Sequence, residues 1–127
     1  MAHPCPLPPL RQGATGPEIA GRVAAAKMKW GSEMEFVDDT GGWGAGTIDA
    51  LGLAGITAIP INLSSKATDP RYFNKRSEMH WQLAQAIKAG LWLPKRGSLK
   101  KELTTPVYWF ENGKIRLEEK EQIKKLP

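Results

Sequence analysis

The sequence contains very little cysteine or histidine. Among its 127 residues there is one cysteine, Cys5, and there are two histidines, His3 and His80. A single cysteine cannot form an internal disulfide or share a metal with a second thiolate, so nothing indicates an oxidising compartment, and we expect a cytoplasmic protein. His3 falls in a proline-rich N-terminal segment, which leaves His80 without a histidine partner, so we expect it to have a structural role.

Long apolar runs are also absent. No stretch approaches the roughly 20 apolar residues that a membrane-spanning helix needs, and the N-terminus lacks the charged start and apolar run of a signal peptide. We therefore expect a soluble protein with no membrane partner. The length and the 41% hydrophobic content allow one core. We predict a single domain at residues 17–127, after a flexible lead-in at residues 1–16.

The net charge of +5 is unevenly distributed. Residues 1–63 carry four basic and six acidic side chains, whereas residues 64–101 carry nine basic side chains against only Asp69 and Glu78. We call residues 64–101 the basic block. Such a block beside an acidic loop suits a protein that attracts a polyanion and cuts it with a bound cation. A solvated helix face is an equally good interpretation from charge alone.

Apolar spacing in the first half predicts a helix, a strand, a short helix and a second strand. Pro17 stands at a first helical position, and the helix should run to about Lys29 and end at Gly31. The strand at residues 33–38 should stop at two carboxylates. A glycine loop, a short helix and the apolar run ITAIPINL follow, and the run suits a buried parallel strand. Together these form a β-loop-α-β unit.

The second half predicts a long helix and a hairpin. Asp69 and Pro70 are typical of a helix start, and a helical period continues to Gly90. LKKELTT should form a short helix, and VYWF-ENGK-IRLE a hairpin in which Asn112 and Gly113 supply the positive φ angles of a tight turn. A last helix should begin in EEKEQIKK.

The stretch FVDDTGGWGAGTIDAL, residues 36–51, carries the strongest indication of a site. A Walker-type phosphate loop is excluded, because no lysine precedes Thr47. A dinucleotide fingerprint fits poorly, because its sixth position is Thr47 instead of glycine. Asp38 and Asp39 end a predicted strand, where metal ligands usually lie in open α/β sheets. Alternatively, these aspartates only cap the next helix, and the residues themselves leave both interpretations open. We expect the indole of Trp43 to pack on the core.

Three stretches in order resemble the nuclease domain of the large terminase subunit of tailed bacteriophages and prophages. The resemblance covers residues 16 to about 125. The motifs are D-x-T-G-G at 38–42, K-A-T-D-P-x-x-x-x-N-K-R at 66–76, and E-L-T-x-P with the N-G-K hairpin and L-E-x-K at 102–120. The spacing between the motifs also resembles that of the family.

The resemblance implies an α/β fold with a ribonuclease-H-like mixed sheet flanked by helices. In that family, acidic residues at strand ends bind Mg²⁺ or Mn²⁺ and cleave concatemeric double-stranded DNA during genome packaging. Asp38 matches the family's second metal-binding acid, and Asp39 is its neighbour. The glycines of the loop would let the backbone turn beside metal and DNA; they are Gly41, Gly42, Gly44 and Gly46. The implied partners are double-stranded DNA and, in the full-length family, the small terminase subunit and the portal.

The chain also departs from the family pattern. The aspartate of the family's first strand has no counterpart in residues 1–16, and the family's closing aspartates would follow Pro127. We therefore expect a middle fragment that lacks the first strand and the last helix, binds metal weakly and is inactive alone.

The expected phosphate contacts are Lys66, Arg71, Lys75 and Arg76. Arg76 also fits the apolar period, so a buried pair with Glu78 or Asp69 is the alternative. The competing function is a non-enzymatic module that binds nucleic acid or a partner through the basic block.

Overall fold

The computed structural model of the protein describes residues 12–124. They form five α-helices and four β-strands, which confirms the predicted α/β class. The chain divides between Leu63 and Ser64 into two compact units. Most of the predicted lead-in, residues 1–11, lies outside the described residues. No helix in the described part is both long and apolar enough to cross a membrane.

The first unit begins with α1, Gly16–Trp30. Thr15 caps it, because its Oγ1 accepts a hydrogen bond from the Glu18 backbone N–H at 3.3 Å, and Pro17 occupies the first turn, where a missing N–H costs nothing. The helix ends at Gly31, whose φ of 66° suits glycine and whose N–H donates to the Lys27 carbonyl. The predicted start and end of this helix are confirmed.

A β-loop-α-β unit follows α1. Strand β1, Phe36–Asp38, pairs in parallel with β2, Ile59–Ile61, and α2, Ala45–Leu53, lies between them in the chain. The predicted unit is confirmed, but the prediction of a buried second strand is wrong. Ile59 and Ile61 are half-buried and Pro60 is exposed, because β2 has one strand neighbour in residues 12–124 and the alternate side chains of the pair face outward.

The core of the first unit lies between the helices and the parallel pair. Leu51 of α2 is fully buried, and Ala20 of α1 and Ala58 before β2 pack beside it. Gly16 permits the close crossing of the two helices, because a Cβ there would lie 2.8 Å from the carbonyl carbon of Gly46. The small residues of α1 and α2 therefore hold the glycine loop and β1 in place.

The second unit is built around α3, Lys75–Lys88. Its N-cap is Asn74, whose side-chain oxygen accepts from the Ser77 N–H at 2.9 Å. The predicted start at Asp69 and Pro70 is wrong. Asp69 Oδ1 instead accepts from the Arg71 N–H at 2.9 Å and closes a local turn, because an aspartate can cap a turn of its own chain as readily as a helix.

The rest of the second unit consists of α4, Leu99–Thr104, a hairpin and the helix α5, Lys120–Lys124. The hairpin joins β3, Tyr108–Glu111, to β4, Lys114–Leu117, and its turn residues Asn112 and Gly113 have φ angles of 51° and 76°. These predictions are confirmed. The buried hydroxyl of Ser77 accepts from the Leu117 N–H at 3.0 Å and ties the hairpin to α3. Within residues 12–124 the strands form two separate two-stranded sheets.

Candidate functional site

The two adjacent aspartates lie where the first parallel strand ends. Asp38 is the last residue of β1, and the Asp39 N–H donates to the Ile61 carbonyl at 2.9 Å, which carries the strand pairing one residue further. One turn of 3-10 helix, Thr40–Gly42, then leads toward α2. The structure therefore places Asp38 at a carboxyl end of the parallel pair, as the sequence predicted.

Both carboxylates hold the backbone of the loop that follows them. Asp38 Oδ1 accepts from the Thr40 N–H at 3.0 Å and from the Thr40 hydroxyl at 2.6 Å. Asp39 Oδ1 accepts from the N–H of Gly44, the cap residue of α2, at 2.9 Å. The Thr40 hydroxyl in turn accepts from the Leu63 N–H at 2.9 Å. Asp39 thus holds the loop at the residue that precedes α2, although α2 itself has no side-chain cap hydrogen bond.

The loop glycines differ in what they allow. Gly41 and Gly42 have φ angles of 70° and 82°, which other residues rarely adopt. Gly44 is buried, and a Cβ there would lie 2.6 Å from the Asp38 carbonyl oxygen. Gly46 lies inside α2, where a Cβ of its own would meet nothing within 4 Å. Gly41 and Gly42 therefore allow the backbone to turn, and Gly44 allows the loop to pack closely against the Asp38 backbone.

The expected core packing of Trp43 is wrong. Its side chain is 92% exposed, because the two glycines before it turn the chain outward. The indole edge lies beside Gly41, where a Cβ would be 3.2 Å from two of its ring atoms. Trp43 therefore projects from the loop into solvent.

Residues 12–124 contain no group of three or more histidine, cysteine, aspartate or glutamate side chains arranged to hold a metal. Divalent cations such as Mg²⁺ are usually bound through a few carboxylates together with water. Asp38 and Asp39 supply two carboxylates, and the Oδ1 atom of each accepts a hydrogen bond from the loop backbone. The donor set in the described chain therefore does not make up a complete Mg²⁺ or Mn²⁺ site.

Lys75, one of the predicted DNA contacts, is engaged inside the second unit. Its Nζ donates to Glu78 Oε1 at 2.7 Å and to the Thr68 hydroxyl at 2.6 Å. Glu78 is only 3% exposed and also accepts from the Asp69 N–H at 2.6 Å. These hydrogen bonds, led by that from Lys75, hold the pKa of Glu78 below its ordinary value. The arrangement ties the segment before α3 to the first turn of α3.

The other predicted contacts are distributed differently. Arg71 is bound to Asp69, with Nη2 to Oδ2 at 2.7 Å, and its side chain remains 75% exposed. Arg76 Nη1 donates to the Glu118 carbonyl at 2.7 Å, so the alternative of a pair with Glu78 or Asp69 is wrong, because those carboxylates bind Lys75 and Arg71. Lys66 is exposed in the segment between β2 and α3.

The charge change in the sequence coincides with the structural division. Residues 12–63 carry three basic and six acidic side chains, and residues 64–124 carry thirteen basic and seven acidic ones. The division between the units falls between Leu63 and Ser64. The excess positive charge therefore belongs to one folded unit, and Asp38 and Asp39 belong to the other.

A groove between α3 and the hairpin is a feature that the sequence analysis missed. It has a volume of about 290 Å³, and Trp81 and Tyr108 form part of its wall. His80 also lines it, and its pKa is lowered, first by burial and then by the charge of Arg76. The available signal was the spacing of Ile115 and Leu117, two positions apart, which places both side chains on the face of β4 that lines the groove.

Comparisons of the chain with protein-family models, with curated proteins and with solved structures found no match.

Proposed function

We propose that the chain is a fragment of the nuclease domain of a phage or prophage large terminase subunit, with a ribonuclease-H-like fold. The observation that carries the proposal is the ordered set of three motifs, in which the first places its acid, Asp38, as the last residue of a parallel strand. The glycine turn directly after this acid also agrees with the proposal. The reaction of that family is metal-dependent hydrolysis of double-stranded DNA, and Mg²⁺ or Mn²⁺ is the proposed cofactor.

In this proposal the two units have different roles. Asp38 would contribute one carboxylate to the cation, and Asp39 would keep the loop closed through Gly44. Lys66 and Arg71, both exposed, would contact phosphates, whereas Lys75 and Arg76 would support the surface through their bonds to Glu78 and to Glu118. The proposed partners are double-stranded DNA, the small terminase subunit and the portal, in the host cytoplasm.

Cation binding at Asp38 tests the proposal. We expect Asp38, a single carboxylate with one neighbour, to bind Mn²⁺ weakly but in preference to the rest of the chain. Mn²⁺ should therefore broaden the amide NMR signals of residues 38–42 at a lower metal concentration than other signals. Asp38→Ala should remove this effect, and Asp49→Ala, an exposed aspartate on α2, should leave it unchanged. Broadening that is equal in both variants, or that is absent from the loop, would contradict the assignment of Asp38.

DNA cleavage is the matching functional measurement. We expect the chain alone not to nick supercoiled plasmid in Mn²⁺ at a useful rate, because hydrolysis needs several carboxylates to hold and orient the cations. Asp38→Ala serves as the control for contaminating nuclease. Robust nicking that disappears in this variant would show that another set of ligands completes the site.

The second candidate function is a non-enzymatic module that binds nucleic acid through its positive charge. The specific observation in its favour is that the basic excess falls within the second unit, apart from the two aspartates. The genomic sequence on either side separates the candidates. A Walker ATPase encoded upstream and an acid-bearing terminase motif downstream would support the first, and an unrelated neighbourhood would support the second.

A further inference from the structure

The aromatic side chains beside the groove form a continuous row. Trp81 of α3 meets Tyr108 of β3 edge to face, with ring centroids 4.9 Å apart and ring planes at 84°. Tyr108 meets Phe110 in the same manner at 6.3 Å and 77°. Tyr108 is 53% exposed and Phe110 is 68% exposed. Both rings therefore present part of their apolar surface to solvent, where a ligand can contact it.

The groove beside this row has the electrostatics of an anion-binding surface. Among residues 12–124, its lining contains no aspartate or glutamate, and Lys88 is the lysine that lines it. Gln85 adds an amide that can both donate and accept hydrogen bonds. The unit that contains the groove carries the excess positive charge of the chain. Exposed aromatic rings, a hydrogen-bonding amide and positive charge match the base, the base edge and the phosphate of a nucleotide.

We infer that this groove, together with the ring of Phe110 that adjoins it through Tyr108, binds single-stranded DNA, with bases stacked on Tyr108 and Phe110 and the phosphate backbone attracted by Lys88. The inference goes beyond the proposed function, because it requires neither Asp38 nor a cation. A single strand is the chosen ligand because its unpaired bases can leave their own stack and lie on protein aromatics, whereas the bases of a duplex have their faces covered. The binding is independent of sequence, since every base has a π-face.

The test uses the full chain and a fluorescent thymidine homopolymer of about 20 nucleotides, a length that spans one such site. Anisotropy is measured in EDTA, so the result does not depend on metal binding at Asp38. Phe110→Ala should weaken binding by about 5- to 100-fold, the effect of losing one stacked base. Tyr108→Ala should do the same, and Tyr108→Phe should bind like the parent chain, because the ring face is kept.

Matched controls distinguish base stacking from nonspecific hydrophobic binding and from unfolding. Trp43→Ala removes a still more exposed aromatic ring from the other unit and should leave affinity unchanged. Because Tyr108 packs on Trp81, the Tyr108→Ala result counts only if circular dichroism shows an intact fold. Phe110→Ala, which truncates a more exposed ring, supplies the same measurement with less disturbance.

Three results would overturn the inference. The first is unchanged affinity in a folded Phe110→Ala variant, and the second is an equal loss in Trp43→Ala. The third is preferential binding of another ligand: a duplex of the same length, a uridine homopolymer, or a proline-rich peptide, which aromatic-lined grooves also accept. The inference is supported if the chain prefers the thymidine strand and if both alanine variants bind that strand more weakly.

Discussion

At the scale of single residues, Gly44 has the most constrained surroundings in the glycine loop. A Cβ there would lie 2.6 Å from the Asp38 carbonyl oxygen and 2.9 Å from Val37 Cγ1, and neither atom belongs to a flexible side-chain end. We expect Gly44→Ala to lower the free energy of unfolding by about 1–3 kcal/mol, as overpacking does. Urea denaturation followed by circular dichroism measures the change.

Gly52, near the end of α2, is the matched control. A Cβ at Gly52 would meet nothing within 4 Å, and its φ is not positive. Gly52→Ala should therefore raise stability by up to about 1 kcal/mol, because alanine is the better helix former. Equal effects of the two substitutions would show that the close packing at Gly44 is not real.

Glu78 gives the second unit a defined dependence on pH. Its pKa is lowered below the ordinary value of 4.5, first by the hydrogen bond from Lys75 and then by the Asp69 N–H. A lowered folded-state pKa means that the stabilisation is complete above the ordinary value and is lost as the pH falls through the folded-state pKa. We therefore expect the melting temperature to decrease on acidification below about pH 4.5.

Glu78→Gln tests this assignment. The substitution should lower the melting temperature at neutral pH by several degrees, because the three donors are shared between both oxygens of a buried carboxylate, and an amide keeps one oxygen and turns an NH2 group toward the remaining donor. It should also weaken the acid dependence. Glu102→Gln, at an exposed position on α4, should change neither quantity. A parent-like acid profile in the Glu78 variant would assign that dependence to other groups.

At the scale of elements, the start of α3 shows where sequence patterns are ambiguous. Both Asp69, followed by proline, and Asn74 are residues that cap helices. The local pattern favours Asp69, but Lys75 and Glu78 bind Thr68 and the Asp69 backbone, and this requires a turn before the helix. The deciding contacts join residues on either side of the boundary, so apolar periodicity could not reveal them.

Asn74→Ala measures the true helix start. Removal of the hydrogen bond to the Ser77 N–H should cost about 1 kcal/mol of stability, with a range of roughly 0.5 to 2. Asp69→Ala should reduce far-UV helicity less, because Asp69 caps only its own turn. The reverse order in circular dichroism and urea midpoints would move the start of α3 back to Asp69.

Elements with local determinants were predictable from the sequence. The hairpin follows from Asn112 and Gly113, and α1 from its cap and Pro17. The position of Asp38 at a strand end also follows from local pattern. The exposure of Trp43 and the pairing of Lys75 could not be predicted, because each depends on the direction in which a turn sends the chain.

At the scale of the whole molecule, exposed apolar groups predict association. Phe36 of β1 is 59% exposed, and β1 has one strand partner among residues 12–124. Unpaired strand edges with apolar side chains pair with other copies. We expect sedimentation velocity to show species that grow with concentration. Phe36→Lys should reduce this growth, because a lysine at a strand edge opposes pairing.

Met28→Lys is the control for this prediction. It replaces a side chain that is 89% exposed and lies on α1 instead of a strand. An equal reduction by both substitutions would assign the association to general hydrophobic contact. A parent chain that stays monomeric at high concentration and melts cooperatively would contradict the prediction itself.

The close crossing at Gly16 and Gly46 has a consequence for the order of folding. The contact joins two residues that lie far apart in the chain, and the loop before α2 is held to the end of β1 by Asp39. The contact therefore closes a long stretch of chain before it gains its packing energy, and such closure slows folding. The tertiary contacts of the first unit should therefore form late in folding and in a single cooperative step. The hairpin of the second unit can form early, because its paired residues are close together in the chain.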